Sequence, residues 1–218
     1  MTDPDSPEPK FRRRAEARPD EVLDAALSLF DEKGYAHTSV AQIAKTAGLS
    51  KGAVYLYFPS KQAILEGLVR RAVSPIATRA QALVDLTSED ARATLRALFS
   101  LIATSLGDPK VLAVPKVVIR EAVVAPEIAA MYRREVFDHV LPAATEIIRQ
   151  GIASGQLRPV DPELTLRSII GPIVVHLLLA EIFDVVPEDG LSLDQLIENH
   201  LDILFHGVFL SPEGSTDA

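Results

Sequence analysis

Apolar residues recur along most of this chain at spacings of three and four rather than two, the period of helices that bury one face. The clearest early stripe is Val22, Ala25, Ala26, Leu29 and Phe30, at i, i+3, i+4, i+7 and i+8. Pro19 suits a first helical position, Asp20 and Glu21 complement a helix N-terminus, and Gly34 suits the stop. The pattern therefore predicts a first helix from Pro19 to about Lys33. A second begins near Ser39, whose spacing to Gln42 is that of a capping box, and turns Ile43, Ala44 and Ala47 inward. Gly48 permits the positive φ of a sharp turn. Ser50 caps a third helix, which Val54 anchors in the core. Phe58-Pro59-Ser60-Lys61 ends that helix and opens a fourth through Leu65, Leu68 and Val69 towards Val84, with a kink expected at Pro75.

The same punctuation continues. Ser88, Glu89 and Asp90 open a fifth helix ending near Leu106, and Asp108-Pro109 opens a sixth to about Val124. Pro126 opens a long seventh, bent at Pro142 and ending near Ser154-Gly155. Asp161-Pro162 opens an eighth to about Phe183, and Ser192 a ninth to about Phe209. The expected fold class is all-α: a three-helix head carrying a helix-turn-helix, then a larger helical body, about nine helices in all. No internal repeat is visible.

Composition narrows the chemistry. The chain has 218 residues, 48% of them hydrophobic, enough for a sizeable core. It has no cysteine, which excludes disulfides, thiolate metal sites and a cysteine nucleophile. The net charge of −8 argues against a general nucleic-acid binder, but the charge is unevenly placed. Lys10 to Lys61 holds nine Lys/Arg against six Asp/Glu, a net of +3, while everything from Gln62 onward sums to −8. A basic first third on an acidic remainder is the polarity of a DNA reader with an attached regulatory body. The first nine residues are polar and carry three prolines, so a disordered tail is expected, followed by a basic arm with Arg12, Arg13 and Arg14. No secretory signal is evident. The longest uncharged apolar run, Ser168 to Ala180, is 13 residues, short of the ~20 a membrane helix needs, so no membrane partner is expected.

Val40 to Pro59 carries the most specific signal. Two short helices joined at a glycine, the second basic, aromatic and lined with small residues, are what places a helix in the DNA major groove. On that helix Gly52 and Ala53 admit close backbone approach, Ala53 suits a thymine methyl, and Lys51 suits a guanine edge or a phosphate. Thr38, Ser39 and Ser50 stand where helix starts can meet the sugar-phosphate backbone. Tyr55 is either a core aromatic or a packing surface for sugar or base, and Phe58 is read as core.

These residues resemble the DNA-binding region of the TetR-type repressor family. The likeness is carried by Thr38-Ser39-Val40, Ile43-Ala44, Ala47-Gly48-Leu49-Ser50-Lys51-Gly52, Val54-Tyr55, Tyr57-Phe58 and Ser60-Lys61. Ile119 to Ala122, Tyr132 and Gly151 to Leu157 resemble an AefR-like subgroup more loosely. The resemblance implies a homodimeric repressor, bound to a double-stranded, near-palindromic operator and released by a small-molecule effector. By the same resemblance, Tyr57 and Lys61 occupy positions that grip phosphates. Expected boundaries are 1–17 for the tail and arm, 18–64 for the DNA-binding domain, 65–210 for the ligand-binding and dimerising domain, and 211–218 for a second tail.

The eighth segment is apolar all round and the ninth has a broad apolar stripe. Two subunits contributing both would cover them, which places Ile169, Ile173, Leu177, Leu201, Leu204, Phe205 and Val208 at a dimer interface. The family's pocket position implies Phe99, Ile102, Ile119, Val123, Tyr132, Phe137, Ile173 and His176 as lining for a hydrophobic or amphipathic effector. His176, His139, His200 and His206 lack metal-site spacing, and no cofactor or metal is expected. Arg120 and Glu121 are open between a buried pair and a polar handle in the pocket. No nucleophile elbow, phosphate loop or cofactor fingerprint appears, which disfavours an enzyme and makes a cytoplasmic regulator the expectation. A DNA-binding activator without small-molecule control is the alternative.

Overall fold

A computed structural model describes residues 10–87, 90–181, 183–186, 190 and 193–208, without the side chains of 10–17, 85–87, 181 and 208. The helices are α1 (Lys10–Lys33), α2 (Val40–Thr46), α3 (Lys51–Tyr57), α4 (Lys61–Thr87), α5 (Ala91–Leu106), α6 (Pro109–Ala122), α7 (Pro126–Tyr132), α8 (Asp138–Ala153), α9 (Pro162–Glu181) and α10 (Leu193–Val208). A π-helical turn, Arg133–Phe137, joins α7 to α8 without a break. Counted as continuous runs these make nine helices among the described residues, and the all-α expectation holds.

Two departures are informative. The first helix starts at Lys10, not Pro19, so Arg12, Arg13 and Arg14 lie on a helical backbone, with their side chains outside the described residues. Proline lacks the N–H that would continue the ladder there, yet the helix passes through it. The long seventh segment is irregular at Arg133–Phe137 rather than at Pro142, which sits inside α8. A proline ring opposes the carbonyl four residues back, here Asp138, and the widened turn ends at the residue just before it.

The chain forms two compact units, residues 1–71 with 113–132, and residues 72–112 with 133–218. In the first, the expected α1 stripe is buried, widened by Leu23 and Leu27, and Ile43, Ala44 and Val54 are buried on α2 and α3. Ile64, Leu65, Leu68 and Val69 are buried on the start of α4, and Ile128 and Met131 on α7. In the second unit α5, α8, α9 and α10 share one cluster, including Leu95, Phe99, Ile148, Leu166, Ile169, Ile173, Leu201, Leu204 and Phe205.

That cluster corrects the dimer assignment. Ile169, Ile173, Leu201, Leu204 and Phe205 are already buried within one chain, and Leu177 packs against them. The side chain of Val208 lies outside the described residues. The same helices instead leave Val174, Val175, Leu179 and Ile203 exposed. One chain covers one face of α9, and the all-round apolar pattern hid which face. Among the described residues α9 is also the one single helix whose length and composition match a membrane span, yet Leu166, Ile169, Ile173 and His176 are buried in its own fold.

Candidate nucleic-acid interface and apolar cavity

Local hydrogen bonds set the ends of the two short helices of the helix-turn-helix, and packing holds them. The Ser39 hydroxyl accepts from the Gln42 N–H at 3.3 Å, and the Gln42 carboxamide oxygen accepts from the Ser39 N–H at 2.8 Å. This is the capping box read from the spacing. The Ser50 hydroxyl accepts from the Ala53 N–H at 3.1 Å, and the Ser60 hydroxyl from the Ala63 N–H at 3.0 Å. Gly48 has φ +68, so the turn between α2 and α3 occupies the region where a Cβ is strained. Val54, fully buried, pins α3 from inside.

With Val54 inward, α3 turns Lys51, Gly52, Tyr55 and Leu56 outward, and Ala53 and Tyr57 are half-buried. The Lys51 ammonium lies 5.8 Å from the centre of the Tyr55 ring. Tyr55 is therefore a surface aromatic, 44% exposed. Leu56, 84% exposed, is the residue the sequence reading passed over. Its signal was available: two positions after Val54 on a helix is nearly the opposite face. Ser39 and Ser50 are exposed as well.

Two expected contacts have other work. Thr38 is 2% exposed, and its hydroxyl points to the carbonyls of Gly34 at 2.9 Å and Leu29 at 3.2 Å. It ties the end of α1 to the start of α2, which corrects its placement on a phosphate-facing surface. Lys61 donates to the Tyr35 carbonyl at 2.7 Å, and its ammonium sits 4.2 Å from the Tyr35 ring centre. Burial lowers the Lys61 pKa, and the nearby Glu121 carboxylate opposes that shift. Burial likewise raises the Tyr35 phenol, with help from Glu127 and Glu121. Glu121 accepts from the Tyr35 N–H at 3.2 Å, and Arg120 stands 4.0 Å from Asp31. Both side chains at the end of α6 thus tie this late segment to the early helices of the same unit.

In the second unit, α4, α5, α8 and α9 enclose a cavity of about 330 Å³. Phe99, Ile102 and Ile173 of the expected set line it, with Leu95, Ile147, Ile148, Leu166 and Ile169. Gln81 and His139 are its polar lining residues. Phe137 lines a separate groove of about 520 Å³, with Arg149, Glu163 and Arg167. Ile119, Val123 and Tyr132 belong to the first unit, outside this cavity, with Val123 87% exposed. His176 is buried on α9 but lines neither space. Ile173, three residues earlier on the same helix, does line the cavity. His200, in turn, pairs with the Ile169 carbonyl at 2.9 Å and stacks edge-on with Phe99. No group of three or more His, Asp or Glu suited to a metal occurs among the described residues.

Residues 22–68 match the family model for bacterial regulatory proteins of the tetR family, and residues 86–189 the tetracyclin repressor-like C-terminal domain. The chain belongs to the tetR family. Its members read DNA with a helix-turn-helix of the kind seen in α2 and α3. Over 44 residues the chain is 57% identical to the uncharacterized HTH-type transcriptional regulator YuxN of Bacillus subtilis, covering 20% of this chain and 15% of that one. It is 26% identical over 196 residues to the HTH-type transcriptional repressor KstR2 of Rhodococcus jostii, covering 86% and 89% of the two chains. The structure of the fatty acid degradation regulator FadR from Bacillus halodurans superposes with a TM-score of 0.74 at 22% identity, covering 87% of this chain and 95% of that one. YuxN and KstR2 are transcriptional regulators, and this tetR-family chain shares the fold of the FadR structure over 87% of its length.

Proposed function

We propose that this chain represses transcription as a homodimer on a near-palindromic operator, and that a hydrophobic or amphipathic small molecule in the 330 Å³ cavity releases it. The observation that carries the reading is α3: a capped, core-anchored helix whose outer face holds Lys51, Gly52, Tyr55 and Leu56. A helix fixed on one side and bare on the other suits the major groove. Lys51 serves a guanine edge or phosphate, Ala53 and Leu56 a thymine methyl, and Tyr55 a sugar or base. Ser39, Ser50 and Tyr57 serve the sugar-phosphate backbone, with the arm bearing Arg12, Arg13 and Arg14 adding charge. The DNA-binding domain corresponds to residues 18–64, and the protein acts in the cytoplasm where its operator is.

Support for the dimer comes from the bare apolar row on α9 and α10. Val174, Val175, Leu179 and Ile203 are exposed apolar residues that a second copy would bury. Paired heads would then meet half-sites about one helical turn apart, ~34–36 Å.

The test begins with selection of bound sequences from genomic fragments, followed by affinity measurements across salt concentrations. Saturable, salt-dependent binding with a two-fold footprint is expected. No affinity for any duplex at low ionic strength overturns the reading, and a monomer by light scattering at micromolar protein overturns the dimer. A small molecule that binds the cavity yet leaves the operator complex intact removes the effector step alone.

A further inference from the structure

Resting on that reading of the cavity as the effector site, we infer that its ligand is a single-chain alkyl amphiphile, held tail-inward with its head between α4 and α8. Exposure within the lining is graded. Ala77, Gln81, His139, Val140 and Ala143 are exposed, whereas Ile148 and Ile173 are buried. The exposed five all lie on α4 and α8, so the mouth opens between those helices. Gln81 and His139 carry the hydrogen-bonding groups of the lining and both lie at that mouth. Among the described residues no Asp, Glu, Lys or Arg lines the space. A charged or strongly hydrated group placed deep would be desolvated without a partner.

Volume sets the length. About 330 Å³ is roughly twice the ~150 Å³ of an apolar cavity that takes up one benzene molecule, which is room for about ten to twelve carbons. Composition sets the shape. The lining offers one phenyl ring, Phe99, and its edge-on contact with His200 leaves no pair of aromatic faces to sandwich a flat ring system. The remaining walls are Ala, Val, Leu and Ile, which conform to a flexible chain. A carboxylate, ester or alcohol head meets the same two mouth residues, so the head is one that exchanges hydrogen bonds with an amide and an imidazole.

The experiment titrates the full chain with straight-chain alkanoic acids of increasing length by calorimetry, with the methyl esters and a rigid polycyclic hydrocarbon alcohol as separate arms. Affinity is expected to rise about fourfold per methylene and then level off near ten to twelve carbons. Filling the wall with Ala144→Leu or Ala80→Leu, using whichever keeps the parent melting temperature, should move the plateau to shorter chains. His139→Ala should weaken acids and esters alike if the histidine donates to a carbonyl, and acids alone if it pairs with charge. Length-independent binding, preference for the rigid polycycle, or a plateau unmoved in both variants overturns the inference. If a different ligand releases the operator while no alkyl amphiphile binds, the inference fails and the effector reading stands. If nothing that binds the cavity alters the operator complex, the effector reading itself has failed.

Discussion

Gly52→Ala separates folding from recognition at one atom. A Cβ built on Gly52 meets only the Ser50 hydroxyl oxygen, at 3.9 Å, an ordinary contact. The residue is in the first turn of α3 and does not need a positive φ, so the free protein has no steric objection to alanine. Glycine to alanine inside a helix is worth up to ~1 kcal/mol, and a first-turn position should deliver about half of it. The variant should therefore melt slightly above the parent. On DNA the sign reverses. If the α3 backbone approaches base edges at Gly52, an added methyl holds it off and forfeits contacts of about 1–3 kcal/mol per half-site, roughly 5- to 150-fold. The assay pairs a thermal melt with operator titration at fixed salt. A more stable protein that binds its operator undiminished would refute the placement of this face in the groove. A clearly less stable one would refute the local geometry instead.

Gly67→Ala should act oppositely on stability. Its Cβ would come within 2.9 Å of the Phe58 ring and 3.1 Å of Leu23, and overpacking of ~1–3 kcal/mol exceeds the ~1 kcal/mol helix gain; an unchanged urea midpoint would contradict this. Lys61→Met should flatten one limb of the pH–stability curve. Burial depresses the Lys61 pKa, so its contribution is present above the unfolded pKa and lost as pH falls through the lowered one. The parent should therefore gain stability relative to the variant as pH rises towards ~10.5, and a flat difference curve would refute the shift. Tyr132→Phe should flatten the alkaline limb of the pH–stability curve. Burial raises the Tyr132 pKa, so its contribution is full below ~10 and lost as pH rises through the raised value. Alkaline melts in which parent and variant decline together would count against it.

The sequence alone determined whatever depends on neighbours within a turn or two. The Ser39–Gln42 box, the Ser50 cap, the positive φ at Gly48 and the stops around Pro59 and Gly34 involve residues at most four apart, and each formed as expected. The inward stripe of α1 was legible for the same reason, since its period needs only the helix itself. Tertiary structure decided which of several equivalent apolar faces meets which neighbour. On α9 the pattern is apolar on every side, so only packing against α5, α8 and α10 shows that Ile169 and Ile173 go inward and Val174, Val175 and Leu179 stay bare. It also decided partners far apart in sequence. Glu121 meets Tyr35 across 86 positions, and Lys61 meets it across 26. Local periodicity carries no information about such pairs, because they exist only after the helices that bear them have been brought together.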